Sequence, residues 1–209
     1  MRRLVVTLDL PTAIEARRAA QALGAAGVAV RVGARLLNKV GPAVVATLHA
    51  DADVLVDARI AGPASEVIAA ARSLATLGAC WMTVDGAVGP DGVTEAATAV
   101  RAYGAALVAT TVSPEAPDPN GGRGKAVSLA ARGLASSGVA ALLGTAQDIG
   151  VVAQAAPQVP VVVMGAETPD DVADALERGA LAVVVESGIA RAADPVMAAA
   201  PFVEAARVA

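Results

Sequence analysis

The sequence predicts a (β/α)8 barrel, formed by a single domain over residues 1–209. Eight short apolar runs are rich in β-branched residues, which is typical of parallel strands buried on both faces. Eight alanine-rich stretches with helical spacing alternate with these runs, and no linker interrupts the series. A doubly wound open sheet is the alternative fold. Eight strand–helix units in 209 residues favour the closed barrel.

Each predicted strand ends near a polar residue or a glycine, as expected where a barrel strand reaches its loop. In chain order the predicted strands span residues 4–9, 28–33, 53–58, 81–86, 106–111, 139–144, 159–164 and 181–186.

The helices are predicted from their spacing and from start and stop signals. Thr168 and Pro169, followed by two acidic residues, form a helix N-terminus with a cap and a proline in the first turn. The longest predicted loop, residues 113–125, follows the fifth strand and is rich in proline and glycine. The predicted helices span residues 12–25, 36–48, 63–78, 90–103, 123–137, 147–156, 169–179 and 195–207.

Composition excludes several classes of protein. The net charge of −4 argues against nucleic-acid binding. Mean hydropathy is high, at +0.59, yet no apolar run reaches the roughly 18–20 residues that cross a bilayer. The N-terminus lacks the long apolar region of a signal peptide, so we expect a cytoplasmic protein without membrane contacts.

Charged residues gather where the chemistry of such a barrel takes place, at the C-terminal ends of strands and in the loops that follow. Arg31, Asp57 and Arg59 lie in or just after the second and third strands. An arginine inside a barrel needs a carboxylate partner because it cannot lose its proton. Asp9, Asp57 and Asp85 are the expected partners. Such a network either closes the barrel top structurally or binds a ligand.

The third strand carries the most specific resemblance. VLVDARIAG, from residue 54, resembles the Asp-x-Lys-x-x-Asp motif of the orotidine 5′-phosphate decarboxylase family, a wider group with hexulose-6-phosphate synthases and ketogulonate-phosphate decarboxylases. Asp57 is retained, while Arg59 and Gly62 stand at the lysine and second-aspartate positions. VAVRVGARLL resembles the second strand, with Arg31 at a lysine position. The resemblance covers nearly the whole chain and implies catalytic roles for Arg31, Asp57 and Arg59.

The same resemblance implies substrate-binding positions elsewhere. LVVTLDL places Asp9 at the ribose-contacting aspartate, and MTVDGAVG places Asp85 at a histidine position. ATTVSPEA is similar to the strand end that introduces the substrate-covering loop, which adds Ser113. VVVESGIARAADP resembles the terminal strand, which adds Ser187 and Gly188.

The phosphate-binding end departs from the family pattern. Glu186 and Ser187 stand where the family has a phosphate-binding glycine and arginine. The segment GGRGK, residues 121–125, offers Arg123 as a substitute, or else forms a solvated basic turn that caps the next helix.

Three hypotheses follow. The first is a rebuilt site that binds or acts on a small anionic metabolite, as a carbon–carbon lyase if it is active. The second is a non-catalytic binding or structural homologue, and the third is a genuine orotidine 5′-phosphate decarboxylase of pyrimidine biosynthesis. An arginine has a pKa far above neutral pH and is a poor proton donor, which weighs against the third hypothesis. We expect no cofactor, with Mg²⁺ a minor alternative through oxygen ligands, and a homodimer.

Overall fold

The computed structural model describes residues 2–113, 121–186 and 188–209. Its strands form a closed parallel barrel in the order β1 to β8, with β8 pairing back onto β1. The predicted fold class is therefore confirmed. The strands are β1 (Leu4–Thr7), β2 (Ala29–Gly33), β3 (Val54–Ile60), β4 (Trp81–Asp85), β5 (Ala106–Thr110), β6 (Ala141–Gly144), β7 (Val161–Ala166) and β8 (Ala182–Val185).

The helices of the described residues pack around the outside of the barrel. Two short 3-10 turns, Gly86–Val88 and Ile189–Arg191, follow β4 and β8. The helices are α1 (Ala13–Ala25), α2 (Ala34–Val40), α3 (Val44–His49), α4 (Ala64–Thr76), α5 (Pro90–Arg101), α6 (Arg123–Leu134), α7 (Asp148–Ala155), α8 (Pro169–Glu177) and α9 (Pro195–Val208).

The predicted helix over residues 36–48 is wrong as a single element. Gly41 adopts φ 81° and Pro42 follows it, so the chain leaves the helical conformation after Val40 and re-enters it at Val44. Proline lacks the N–H that a continuous helix would use here.

Two apolar layers build the core. One lies between the sheet and the helices. The other fills the barrel and consists mainly of valine, leucine and alanine: Val5, Ala29, Leu55, Val108, Ala141, Leu143, Val162, Met164, Ala182 and Val184. No helix of the described residues has the length and apolar character needed to span a bilayer.

Candidate functional site

A polar layer covers the apolar interior at the C-terminal end of the barrel. Side chains of a strand alternate between its two faces, so residues two positions beyond the inner apolar ones also point inward. On several strands these positions carry a polar or charged residue. They include Thr7 after Val5, Arg31 after Ala29, Asp57 after Leu55, Thr83 after Trp81, Thr110 after Val108, and Glu186 after Val184.

Arg31 and Asp57 form the centre of this layer. The Arg31 Nε and Nη2 atoms donate to Asp57 Oδ2 at 3.0 and 2.5 Å. Arg31 Nη1 donates to Glu186 Oε1 at 2.8 Å and to Thr7 Oγ1 at 3.2 Å. The Asp57 side chain is only 2% exposed and that of Arg31 11%. Two carboxylates therefore compensate the charge of one largely buried guanidinium. A buried charge requires such a partner, because it has lost its contact with water.

Thr83 and Arg59 engage the second oxygen of Asp57. The Thr83 hydroxyl donates to Asp57 Oδ1 at 2.7 Å, and the Arg59 backbone N–H donates to Thr83 Oγ1 at 2.8 Å. The Arg59 guanidinium lies at the barrel mouth. Its Nε is 3.7 Å from Asp57 Oδ1, and its Nη1 donates to Ser113 Oγ at 3.0 Å.

The backbone of Arg59 is unusual. Its φ is +44°, a left-handed conformation that no other non-glycine residue of the described part adopts. It lies in an irregularity of β3, where the pairing with β4 shifts register between Val56 and Ile60. Bulges of this kind re-aim side chains and are frequent next to active sites.

The expected pairing of the strand-end aspartates is only partly correct. Asp57 binds Arg31, but Asp9 instead contacts Arg191 and receives a hydrogen bond from Arg35 at 2.6 Å. Asp85 caps the 3-10 turn after β4 by accepting from the Ala87 N–H. Both aspartates still lie at the mouth, but their carboxylates are committed to neighbours that the sequence did not indicate.

Arg123 is not the solvated turn residue that one of its two interpretations predicted, because its side chain is only 12% exposed. Its Nε and Nη2 donate to the two oxygens of Asp148 at 3.0 and 2.6 Å, and its Nη1 donates to the Ser113 carbonyl at 3.0 Å. Burial by itself would raise the pKa of Asp148, but the hydrogen bonds from Arg123 and Thr145 outweigh it and lower that pKa.

A cleft of about 510 Å³ opens beside the polar layer, at the ends of β6, β7 and β8. Glu167, Asp171 and Glu186 are among its lining residues, and no arginine or lysine of the described chain lines it. Asp171 is already committed to the N-terminus of α8, where it forms a capping box with Thr168. Hydrogen bonds from the Thr168 side chain and backbone, and from the Glu167 N–H, lower the pKa of Asp171.

The terminal-strand candidates are described in part. Ser187 lies outside the described residues. Gly188 has φ 72° and precedes the 3-10 turn Ile189–Arg191. Within the described residues, no three histidine, cysteine, aspartate or glutamate side chains are grouped as a metal site requires.

Sequence reasoning missed Thr7, Thr83 and Asp148. The two-residue strand period would have placed Thr7 and Thr83 on the inner face, above Val5 and Trp81. Asp148 gave a weaker signal, since an aspartate at the start of a predicted helix is usually an ordinary cap. Its contact with Arg123 depends on the packing of α6 beside α7.

Fold and site together define a class: a (β/α)8 barrel with an ionic network at its C-terminal mouth, centred on an aspartate of the third strand. The family model described as the orotidine 5′-phosphate decarboxylase / HUMPS family matches residues 2–202. The chain therefore belongs to this family. No curated protein sequence matches it.

Solved structures share the fold at low sequence identity. An orotidine 5′-phosphate decarboxylase from Pyrococcus horikoshii OT3 gives a TM-score of 0.84 at 17% identity, covering 98% of this chain and 99% of its own. The Lactobacillus acidophilus orotidine 5′-phosphate decarboxylase gives 0.83 at 22%, with the same coverage. An uncharacterized conserved protein from Geobacillus kaustophilus gives 0.82 at 22%, covering 97% and 99%.

Proposed function

We propose that this chain is a divergent member of its family that binds the anionic group of a small metabolite at the barrel mouth, with Arg59 as the binding cation. The observation that carries the proposal is the position of Arg59. Its strained backbone directs the guanidinium to the mouth, between Asp57 and Ser113. Its side chain is 32% exposed, so a ligand can reach it.

Backbone strain supports a functional role for this residue. A non-glycine residue in the left-handed region costs about 1–3 kcal/mol and persists where the surroundings hold it in place. Thr83 does so here, because it accepts the Arg59 N–H while it donates to Asp57.

Proton donation by Arg59 is not part of the proposal. A guanidinium keeps its proton near neutral pH, because its pKa lies far above that range. If the site is catalytic, its chemistry is that of a carbon–carbon lyase in which Arg59 offsets negative charge as it develops. Asp9, Asp85 and Gly188 lie around the same mouth and are proposed to contact the rest of the substrate, as is Ser187.

The acidic cleft helps to distinguish whether the bound anion is a phosphate or a carboxylate. A phosphate dianion favours helix N-terminal N–H groups together with an arginine. The cleft presents Glu167 and Glu186 instead, and the N-terminus of α8 is capped by Asp171. The geometry therefore favours a carboxylate directed to Arg59 over a phosphate ester directed into the cleft.

A non-catalytic homologue is the second candidate. Asp57 and Glu186 already neutralise the charge of Arg31, which favours this candidate, because little positive charge is left on Arg31 to attract a ligand anion. A genuine orotidine 5′-phosphate decarboxylase is the third, and it would need a proton donor other than Arg59.

Thermal shift with a ligand panel tests the proposal. The panel is UMP, orotidine 5′-phosphate, orotate, uridine, and pentose and hexulose phosphates, each with and without Mg²⁺. A ligand at about 100 times its Kd adds roughly 2.7 kcal/mol, a shift of a few degrees for a domain of this size. We expect orotate or another carboxylate to give a shift that Arg59→Gln abolishes.

The matched control is Arg178→Gln, which removes another arginine that bridges a carboxylate, on Asp174, and a backbone carbonyl, on Ala146. This variant should keep the ligand shift. Equal shifts in the wild type and in Arg59→Gln would remove Arg59 from the site. A panel without any shift would favour the non-catalytic candidate.

A homodimer, a cytoplasmic location and the absence of a cofactor complete the proposal, with Mg²⁺ as the minor alternative. Light scattering after size exclusion tests the dimer, which predicts about twice the 20.4 kDa chain mass.

A further inference from the structure

We propose that Arg123 and Asp148 are positioning residues that hold Ser113 and, through Ser113, the guanidinium of Arg59. The inference rests on the proposed function in one respect, that Arg59 is the group that meets the ligand. It assigns a role to a buried ion pair that lies outside the Arg31–Asp57 network.

The geometry of the ion pair restrains the orientation of the Arg123 guanidinium. Two parallel N–H groups of Arg123 meet the two oxygens of Asp148, at 3.0 and 2.6 Å. A paired fork of this kind restrains the plane of the guanidinium as well as its position. Asp148 is 3% exposed, so little water competes for the carboxylate.

Asp148 is itself held rigidly. The Thr145 backbone N–H and hydroxyl donate to Asp148 Oδ2 at 2.7 and 3.1 Å. The carboxylate also lies against Gly144, where an added Cβ would be 2.9 Å from Oδ2. A side chain at residue 144 would therefore displace the carboxylate, and glycine leaves room for it. Its lowered pKa keeps it ionised around neutral pH.

Ser113 connects this pair to Arg59. Its carbonyl accepts from Arg123 Nη1 at 3.0 Å, and its hydroxyl accepts from Arg59 Nη1 at 3.0 Å. The contacts form a continuous series from Asp148 at the start of α7, through Arg123 at the start of α6, to Arg59 at the end of β3. Arg59 is thus restrained from two sides, by Thr83 at its backbone and by Ser113 at its guanidinium.

Arginine side-chain NMR of the ligand-free protein tests this series. The Arg59 guanidinium signals are assigned by their absence in Arg59→Gln, and their hydrogen exchange is followed. We expect Asp148→Asn to shift these signals and to speed their exchange about tenfold or more, because a hydrogen bond to a charged group is lost along the series. The Arg178→Gln control should leave them unchanged.

Ser113→Ala keeps the test decisive if Asp148→Asn does not fold. It removes only the Ser113 hydroxyl, leaves the Arg123–Asp148 pair and the Ser113 carbonyl in place, and should release Arg59 in the same way. Arg123→Lys keeps the charge but loses the fork and should also release Arg59. Arg59 signals and exchange rates that match the wild type in either Ser113→Ala or Arg123→Lys would overturn the inference. Since no ligand is present, failure here is separate from failure of the Arg59 binding role.

Discussion

Asp57 shows at the scale of one residue how this site differs from a lysine-based one. Both of its oxygens accept hydrogen bonds, from Arg31 on one side and from Thr83 on the other. Arg59 is the remaining cation beside it, at 3.7 Å. A lysine can deliver a proton to a developing carbanion, whereas a guanidinium can only stabilise charge. An arginine beside this aspartate can therefore support charge stabilisation but is a poor source of a proton.

Substitutions at Arg59 test the backbone strain. Arg59→Gly and Arg59→Ala both remove the side chain, but alanine retains the steric cost of a positive φ. We expect the glycine variant to be more stable by about 1 kcal/mol, or roughly 2–4 °C in Tm for a domain of this size. Urea unfolding of the two variants measures the difference.

The same pair of substitutions at Arg17, an exposed position inside α1, is the control. Glycine there should be less stable than alanine by about 1 kcal/mol, so the order reverses. An alanine variant at Arg59 that equals or exceeds the glycine variant in stability would show that the left-handed conformation carries no strain.

Asp148 makes stability depend on pH. Its pKa is lower in the folded protein than in the unfolded chain, so its stabilisation is fully present above the unfolded pKa of about 3.9 and is lost as pH falls through the folded value. We expect Asp148→Asn to cost about 3–5 kcal/mol at pH 7, because it leaves Arg123 without its buried charge partner. The difference from wild type should shrink below about pH 4.

Urea unfolding at several pH values measures both effects. Asp174→Asn is the control, since Asp174 forms an exposed pair with Arg178 and should cost at most about 1 kcal/mol. A constant difference between Asp148→Asn and wild type from pH 7 to pH 3 would contradict the lowered pKa.

At the scale of elements, the end of β3 and the loop that follows it both have an unusual backbone conformation. The register shift next to Arg59 is followed within three residues by Gly62, which has φ 133°. That φ is one that residues with side chains rarely adopt, so the loop is built for glycine. An aspartate at position 62, as in the resembled motif, would therefore need a different backbone conformation.

Gly62→Asp tests this view. We expect it to cost about 1–3 kcal/mol of stability, because an L residue is strained at this φ. Its Cβ would also lie 3.5 Å from the Glu66 carboxylate, which adds repulsion between like charges. Ala61→Asp puts the same charge on the exposed neighbouring residue and should stay within about 0.5 kcal/mol of wild type. Thermal unfolding compares the two variants, and equal stability would contradict the backbone argument.

The elements themselves could largely be predicted from sequence, because each strand and helix carries its own local signal. The break after Val40 was missed, since the apolar spacing continues through Gly41 and Pro42 and hides the interruption. The bulge at Arg59 could not be predicted, because it arises from the pairing of β3 with β4 and not from the residues of β3 alone.

At the scale of the whole molecule, barrel closure decides which charges meet. The sequence placed Asp9, Arg31, Asp57 and Glu186 at one end of the barrel. Their pairing depends on the distances around the ring: β8 brings Glu186 to Arg31, while the turn after β8 brings Arg191 to Asp9. Long-range pairs of this kind leave no pattern along the chain. The prediction that Asp57 is a partner of Arg31 is correct, but Asp9 and Asp85 do not fill the corresponding role for Arg31 or Arg59.

The most decisive measurement for the role of Arg59 is the decarboxylation of orotidine 5′-phosphate, followed by ultraviolet absorbance. If the family barrel is retained while Arg59 binds charge and delivers no proton, the wild-type protein shows no turnover above the enzyme-free blank at any pH between about 6 and 9, since an arginine holds its proton throughout this range. Turnover of orotidine 5′-phosphate by the wild type above the enzyme-free blank would contradict this role of Arg59.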